Sequence, residues 1–257
     1  MASHDAKQAC ILLPGIIAPA VVRYAPLIGE LGSATRAYTK ELEVYTLTPT
    51  PHRYSIDDEI DGLLAHTSRA SLEHFHLYGH SGGGAVALAF TAAHPQRVLS
   101  LTLDEAAFDF SAEMRAQLAE HDELREGMRD DPAGAMRRFM QLELKPGVEF
   151  SPPAGGIPPL PNRPGGVAAL VRAFLQYELD DDALRAFDRP VLYTRGSLSA
   201  DRYEQSARRL AALFPNFREV VFDGLHHLNT SHQAEPAKVA ALLIDLWSSA
   251  GAQHPSV

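Results

Sequence analysis

The sequence predicts an α/β domain on a mostly parallel sheet of about six strands, and three observations carry that expectation. Six short runs are near-continuous in apolar, β-branched or aromatic residues, as strands covered on both faces require. Stretches with helical periodicity lie between them. Strand followed by helix followed by strand leads, through right-handed crossovers, to parallel neighbours. A chain of 257 residues that is 46% hydrophobic suits one large domain, or a core domain with an insertion.

In chain order the expected strands are ACILLP (9–14), LEVYTL (42–47), HFHLYG (74–79), VLSLTLDE (98–105), PVLYTRG (190–196) and REVVFDG (218–224). The first helix signal is SIDDEIDGLLAHTSRAS. Ser55 is placed to cap it, acidic residues fill the first turn, and Ile56, Ile60, Leu63 and Leu64 form one stripe. GGAVALAFTAAH follows a glycine cluster and stops before Pro95. ADRYEQSARRLAALF and AEPAKVAALLIDLWSS supply the last two helices.

Residues 108–188 break the rhythm, with no convincing strand. SAEMRAQLAEHDELREGMRDDPAGAMRRFMQLEL reads as two charged amphipathic helices broken near Pro132 and Gly134. SPPAGGIPPLPNRPGG is a proline- and glycine-rich loop, and VAALVRAFLQYELDDDALRAF is helical again. The expected division is therefore a core of residues 1–107 and 189–257 and a helical lid of residues 108–188 over the sheet's carboxyl edge. A peripheral decoration is the competing reading.

Lys and Arg total 23 against 32 Asp and Glu, a formal net charge of −9, which disfavours a nucleic-acid partner. No basic cluster marks a membrane surface. Cys10 is the only cysteine, so no internal disulfide forms, and CILLPG places it in the core. The apolar run after the polar MASHDAKQ is too short for a signal core or a membrane span, so a cytoplasmic location is expected.

Chemistry concentrates in YGHSGGG, where Gly79-His80-Ser81-Gly82-Gly83 fits Gly-x-Ser-x-Gly between a strand and a helix. A sharp turn there lifts Ser81 above the sheet, and the helix points its free N–H groups and positive dipole end at the hydroxyl. A phosphate loop would need Gly-Lys-Ser/Thr or Gly-x-Gly-x-x-Gly spacing, and neither is present. On this turn, the glycine loop LLPGIIAP after the first strand, the helical insertion and a late histidine, the chain resembles the α/β-hydrolase superfamily of the serine-nucleophile type. That resemblance implies the α/β-hydrolase fold. Only about a dozen residues precede the glycine loop, so the family's N-terminal hairpin is expected to be missing.

The resemblance also assigns roles. A serine hydroxyl needs a base, and the family order of serine, acid, histidine puts it late. FDGLHHLNTSH offers His226, His227 and His232; three residues past Gly224 is His227, with His226 as the alternative. These histidines as metal ligands are set aside, because no nearby carboxylate has ligand spacing. His74 and His76 share a strand face and read as packed or solvated. The usual acid position follows PVLYTRG, but Asp201 stands one step late and opens a helix. Haloalkane dehalogenase-like members carry the acid one strand earlier, where this chain has Asp104 and Glu105. Glu105 is the expected acid, with Asp201 and then Asp104 as alternatives. The oxyanion donors are expected to be Gly82 N–H and Ile16 N–H, or Ile17 in place of Ile16.

The implied reaction is hydrolysis of a small or medium, apolar carboxylic ester through an acyl-enzyme on Ser81, with a small-molecule substrate and neither cofactor nor metal. C–C bond hydrolysis or perhydrolysis would use the same residues. Dehalogenase or epoxide hydrolase chemistry would need an Asp nucleophile. A reading of another class is a ligand-binding sensor on the same scaffold. Phe139, Met140, Phe174 and Tyr177 are candidate apolar contacts, although their helical spacing also fits packing within the lid.

Overall fold

The computed structural model describes residues 8–16, 18–46, 53–119, 130–149 and 163–253. Its strands are β1 (Ala9–Leu13), β2 (Arg36–Thr39), β3 (Phe75–His80), β4 (Val98–Asp104), β5 (Val191–Gly196) and β6 (Phe217–Phe222). They form one sheet in the order β2-β1-β3-β4-β5-β6, and each neighbouring pair is parallel. Alternation along the strands splits the core in two. Ile11, Leu13, Leu77, Leu101, Leu103, Val191 and Tyr193 face one side. Cys10, Leu12, Tyr78, Leu192 and Phe222 face the other.

The helices described are α1 (Ala20–Arg23), α2 (Ala25–Leu31), α3 (Glu43–Thr46), α4 (Ile56–Arg69), α5 (Gly82–Ala93), α6 (Ala112–Ala119), α7 (Pro132–Leu142), α8 (Arg163–Gln176), α9 (Asp181–Ala186), α10 (Asp201–Leu213), α11 (Ser231–Ala234) and α12 (Pro236–Gln253). On the first face pack α4 through Ile56, Ile60 and Leu63, α5 through Val86 and Phe90, and α10 through Ala207, Leu210 and Leu213. On the second pack α2 through Leu27 and Leu31 and α12 through Val239, Leu243, Leu246 and Trp247. Ser55 starts α4 as expected, with its N–H donating to Asp58 Oδ2 at 2.7 Å.

The chain between β4 and β5 carries α6 to α9, and Met114, Val167, Leu170 and Phe174 join the first-face core. The break near Pro132 falls just before it: Asp131 caps α7 by accepting from Gly134 N–H at 2.9 Å. Most of the proline- and glycine-rich loop, residues 151–162, lies outside the described residues, and Arg163–Gly166 open α8. The last helical stretch divides because Asp180 caps α9, accepting from Asp182 N–H and Ala183 N–H at 3.0 Å each.

One expected strand is corrected. LEVYTL (42–47) holds a short helix, α3, and the edge strand is Arg36–Thr39. Buried Glu59 turns the chain into a helix by accepting from Glu43 N–H (2.9 Å) and Val44 N–H (3.0 Å), which takes the first-turn donors a ladder would need. The true edge strand RAYT is half-exposed and so lacks a continuous apolar run.

Candidate active site

The site lies at the carboxyl edge of the sheet, built from the ends of β1, β3, β4, β5 and β6. Ser81 sits between β3 and α5 with φ 52° and ψ −121°, a conformation non-glycine residues rarely adopt. Its N–H donates to Asp104 O (3.1 Å), and its carbonyl accepts from Gly84 N–H (2.9 Å), Ala85 N–H (3.1 Å) and Ala107 N–H (2.9 Å). The turn closes so tightly that a Cβ on Gly79 would lie 2.3 Å from Gly83 O, and one on Gly83 2.5 Å from Leu13 O and Pro14 O. Gly82, the first residue of α5, lies N-terminal to any intrahelical acceptor for its N–H. Ile16 is buried against it and lines the adjoining cavity, whereas Ile17 lies outside the described residues.

His227 reaches Ser81 from the loop after β6. Its Nε2 lies 3.0 Å from Ser81 Oγ, and its Nδ1 lies 2.9 Å from Glu105 Oε2. Glu105 directly follows β4, with φ 49°, and Gly196 N–H donates to its Oε1 at 2.7 Å. Both carboxylate oxygens are thus held, and all three side chains are buried. With Nδ1–H donating to Glu105, Nε2 is free to accept the serine proton.

The other expected residues lie elsewhere. Asp201 is the first residue of α10, exposed, 4.0 Å from Lys145 Nζ. His226 Nδ1 accepts from Leu228 N–H (3.2 Å) and Asn229 N–H (3.1 Å) in its own loop, and burial lowers its pKa. Asp104 belongs to a second buried pair, with His232 Nδ1 at 2.7 Å. It also accepts from Tyr78 OH (2.8 Å), Thr194 Oγ1 (2.7 Å) and Ser231 Oγ (3.2 Å). Burial disfavours its charge, but these partners outweigh burial and hold its pKa below the ordinary carboxylate range.

Four neighbours of the site carry no sequence signal of their role. The His227 ring is sandwiched between Tyr203 (centroids 4.7 Å apart, planes at 12°) and His80 (4.9 Å, 24°). His80 thus lies flat on His227, and neither of its buried ring nitrogens has a hydrogen-bond partner among the described residues. Burial, then the nearby Arg23, His227 and His232, push its pKa well below normal, so it stays neutral. His80, Glu105 and His227 offer potential metal-ligand atoms within 4.8 Å of one another. Ring lone pairs lie in the ring planes, so two stacked imidazoles do not aim them at one ion. Glu143, after α7, accepts from Arg202 Nη2 and Tyr203 OH, and its Oε2 is 3.7 Å from His227 Nε2.

Beside Ser81 opens a cavity of about 110 Å³. Phe108, Met114, Phe139, Val167, Leu170 and Phe174 give it an apolar wall. Of the four candidate apolar contacts, Phe139 and Phe174 line it, while Met140 is buried and Tyr177 packs against the core. No helix among the described residues is long and apolar enough to cross a membrane.

A parallel sheet with a strained serine turn after β3 and a histidine after the last strand defines a class, and the chain belongs to the α/β-hydrolase fold family, whose model matches residues 45–233. Among solved structures it is similar to a carboxylesterase of the ammonia-oxidizing thaumarchaeon Nitrososphaera gargenis, with TM-score 0.77, 18% identity, and 97% of this chain and 93% of that one covered. A thermophilic esterase of Thermogutta terrifontis aligns with TM-score 0.72, 20% identity, and 95% and 90% covered. A haloalkane dehalogenase variant of Bradyrhizobium elkanii aligns with TM-score 0.69, 17% identity, and 97% and 92% covered. At these identities the likeness is one of fold. A search of curated proteins found no match.

Proposed function

We propose that the protein is a serine hydrolase that cleaves small carboxylic esters through an acyl-enzyme on Ser81. The observation that carries this reading is the continuous line from Ser81 Oγ through His227 to Glu105, with steps of 3.0 and 2.9 Å, opening on an apolar cavity. Ser81 Oγ attacks the ester carbon as His227 Nε2 takes its proton. Glu105, held by Gly196 N–H, fixes the tautomer and stabilises the imidazolium. Gly82 N–H and Ile16 N–H donate to the tetrahedral oxyanion. His227 then protonates the departing alcohol, and a water activated by the same base releases the acid. Neutral His80 places no second positive charge against the imidazolium. Residues 108–188 act as the lid, since α6, α7 and α8 supply most of the cavity wall. Two of the similar structures are esterases, which supports ester chemistry.

A dry cavity of about 150 Å³ holds a benzene-sized ligand, so this one fits an acyl chain of about four to six carbons. A fluorophosphonate probe should label Ser81, and p-nitrophenyl esters should be cleaved best near that chain length. No labelling and no turnover would defeat the enzyme reading and favour a sensor.

A further inference from the structure

The cavity has a polar wall that the acyl transfer just described leaves unused. Glu143 lines it while only 3% exposed. Its backbone is pinned to the loop after β5, with Ala200 N–H donating to Glu143 O at 3.0 Å and Leu144 bridging Ser199. Its carboxylate partners all meet Oε2: Arg202 Nη2, Tyr203 OH and, at 3.7 Å, His227 Nε2. Oε1 has none among the described residues. Burial disfavours the Arg202 charge, but Glu143, Tyr203 and Glu105 together outweigh this and raise its pKa. Arg202 is thus a cation, and a carboxylate set against a guanidinium presents acceptor oxygens to it.

Position gives this acceptor its meaning. His227 Nε2 delivers a proton to the departing alcohol, so a carboxylate 3.7 Å from that atom lies beside the alcohol, not the acyl chain. The acyl chain has the apolar wall of Phe108, Met114, Phe139 and Phe174. The oxygen without a protein donor is not sealed off but belongs to the cavity lining, where a hydroxyl supplied by the substrate can take the place of water. Resting on the ester reading above, we infer that Glu143 is a specificity-determining residue. Its Oε1 accepts a hydrogen bond from a free hydroxyl on the alcohol part of the ester. The substrate class is then an ester of a polyhydric alcohol with a short apolar acid.

The test compares kcat/KM for three butanoates with the same acyl group: 2-hydroxyethyl, n-propyl and 2-methoxyethyl. The wild type should prefer the 2-hydroxyethyl ester by about 10- to 100-fold, the worth of a hydrogen bond to a charged group. The methoxy ester, which has no donor, should fall with the propyl ester. In Glu143→Gln the amide oxygen stays with Arg202 and Tyr203, so an NH₂ group replaces the free acceptor. The preference over the methoxy ester should then drop to one or below, because the hydroxyl and the ether oxygen can both accept from that NH₂, with a melting curve to check folding. Equal wild-type rates on the three esters overturn the inference, and so does a preference over the methoxy ester that survives Glu143→Gln. A stronger preference for the carboxymethyl ester would assign the wall to Arg202 and also overturn it. No turnover of any ester, with Ser81 unlabelled, defeats the hydrolase reading and this inference with it.

Discussion

At the scale of single residues, two buried Asp/Glu–His pairs start from adjacent positions at the tip of β4. Glu105 points to His227, and Asp104 points to His232. Only the first touches Ser81 through its histidine. Glu105→Gln, which keeps the shape but cannot stabilise an imidazolium, should lower kcat by about 10²- to 10⁴-fold, in the range that follows loss of a triad acid. Asp201→Asn should leave kcat within about two-fold, because Asp201 is an exposed N-terminal helix residue. Steady-state kinetics on a p-nitrophenyl ester decides it, and a large loss for Asp201→Asn alone would defeat the assignment. Ser81 was legible because its demands are local: small neighbours, a strand before and a helix after. Glu105 was legible only through resemblance. Glu143 was not, because its partners Arg202 and Tyr203 lie about 60 residues away, and QLEL reads as an amphipathic helix end.

At the scale of elements, the turn between β3 and α5 works because backbone meets backbone without side chains between. Gly83→Ala would place a methyl 2.5 Å from two carbonyl oxygens that β1 and its loop hold in place. It should destabilise the protein by about 1–3 kcal/mol through overpacking. Gly29→Ala is the control: Gly29 is an exposed residue of α2, and its Cβ would have no atom within 4 Å. That change should be neutral or stabilising by about 0.5–1 kcal/mol. Urea midpoints for both variants check the pair, and a neutral Gly83→Ala would show that the turn has slack. The same local view explains the LEVYTL error. A six-residue apolar run fits a strand or a buried helical turn, and Glu59, which decides between them, arrives from another helix.

At the scale of the whole molecule, covering a parallel sheet on both faces seals polar side chains away from water, and their protonation becomes linked to folding. His76 stands in β3 between Ser100 Oγ (Nδ1, 2.8 Å) and Gln8 Oε1 (Nε2, 2.7 Å). It also stacks on Trp247 of α12, with centroids 5.0 Å apart. A neutral imidazole satisfies both hydrogen bonds, and burial lowers its pKa from 6.5 to about 3. Between those values the unfolded chain binds the proton and the folded protein does not. Stability is therefore full above pH 6.5 and is lost as pH falls toward 3. From pH 7 to pH 5 this one histidine should cost about 2 kcal/mol of unfolding free energy. His80 and His232, also lowered by burial, add to the total slope but are common to any variant at position 76. Urea unfolding of wild type and His76→Gln, whose amide can donate and accept yet does not titrate, isolates the difference. The variant should lose about 2 kcal/mol less over that range. Parallel stability curves for the two proteins would mean that His76 is protonated inside the fold, with its charge compensated by the Gln8 and Ser100 oxygens.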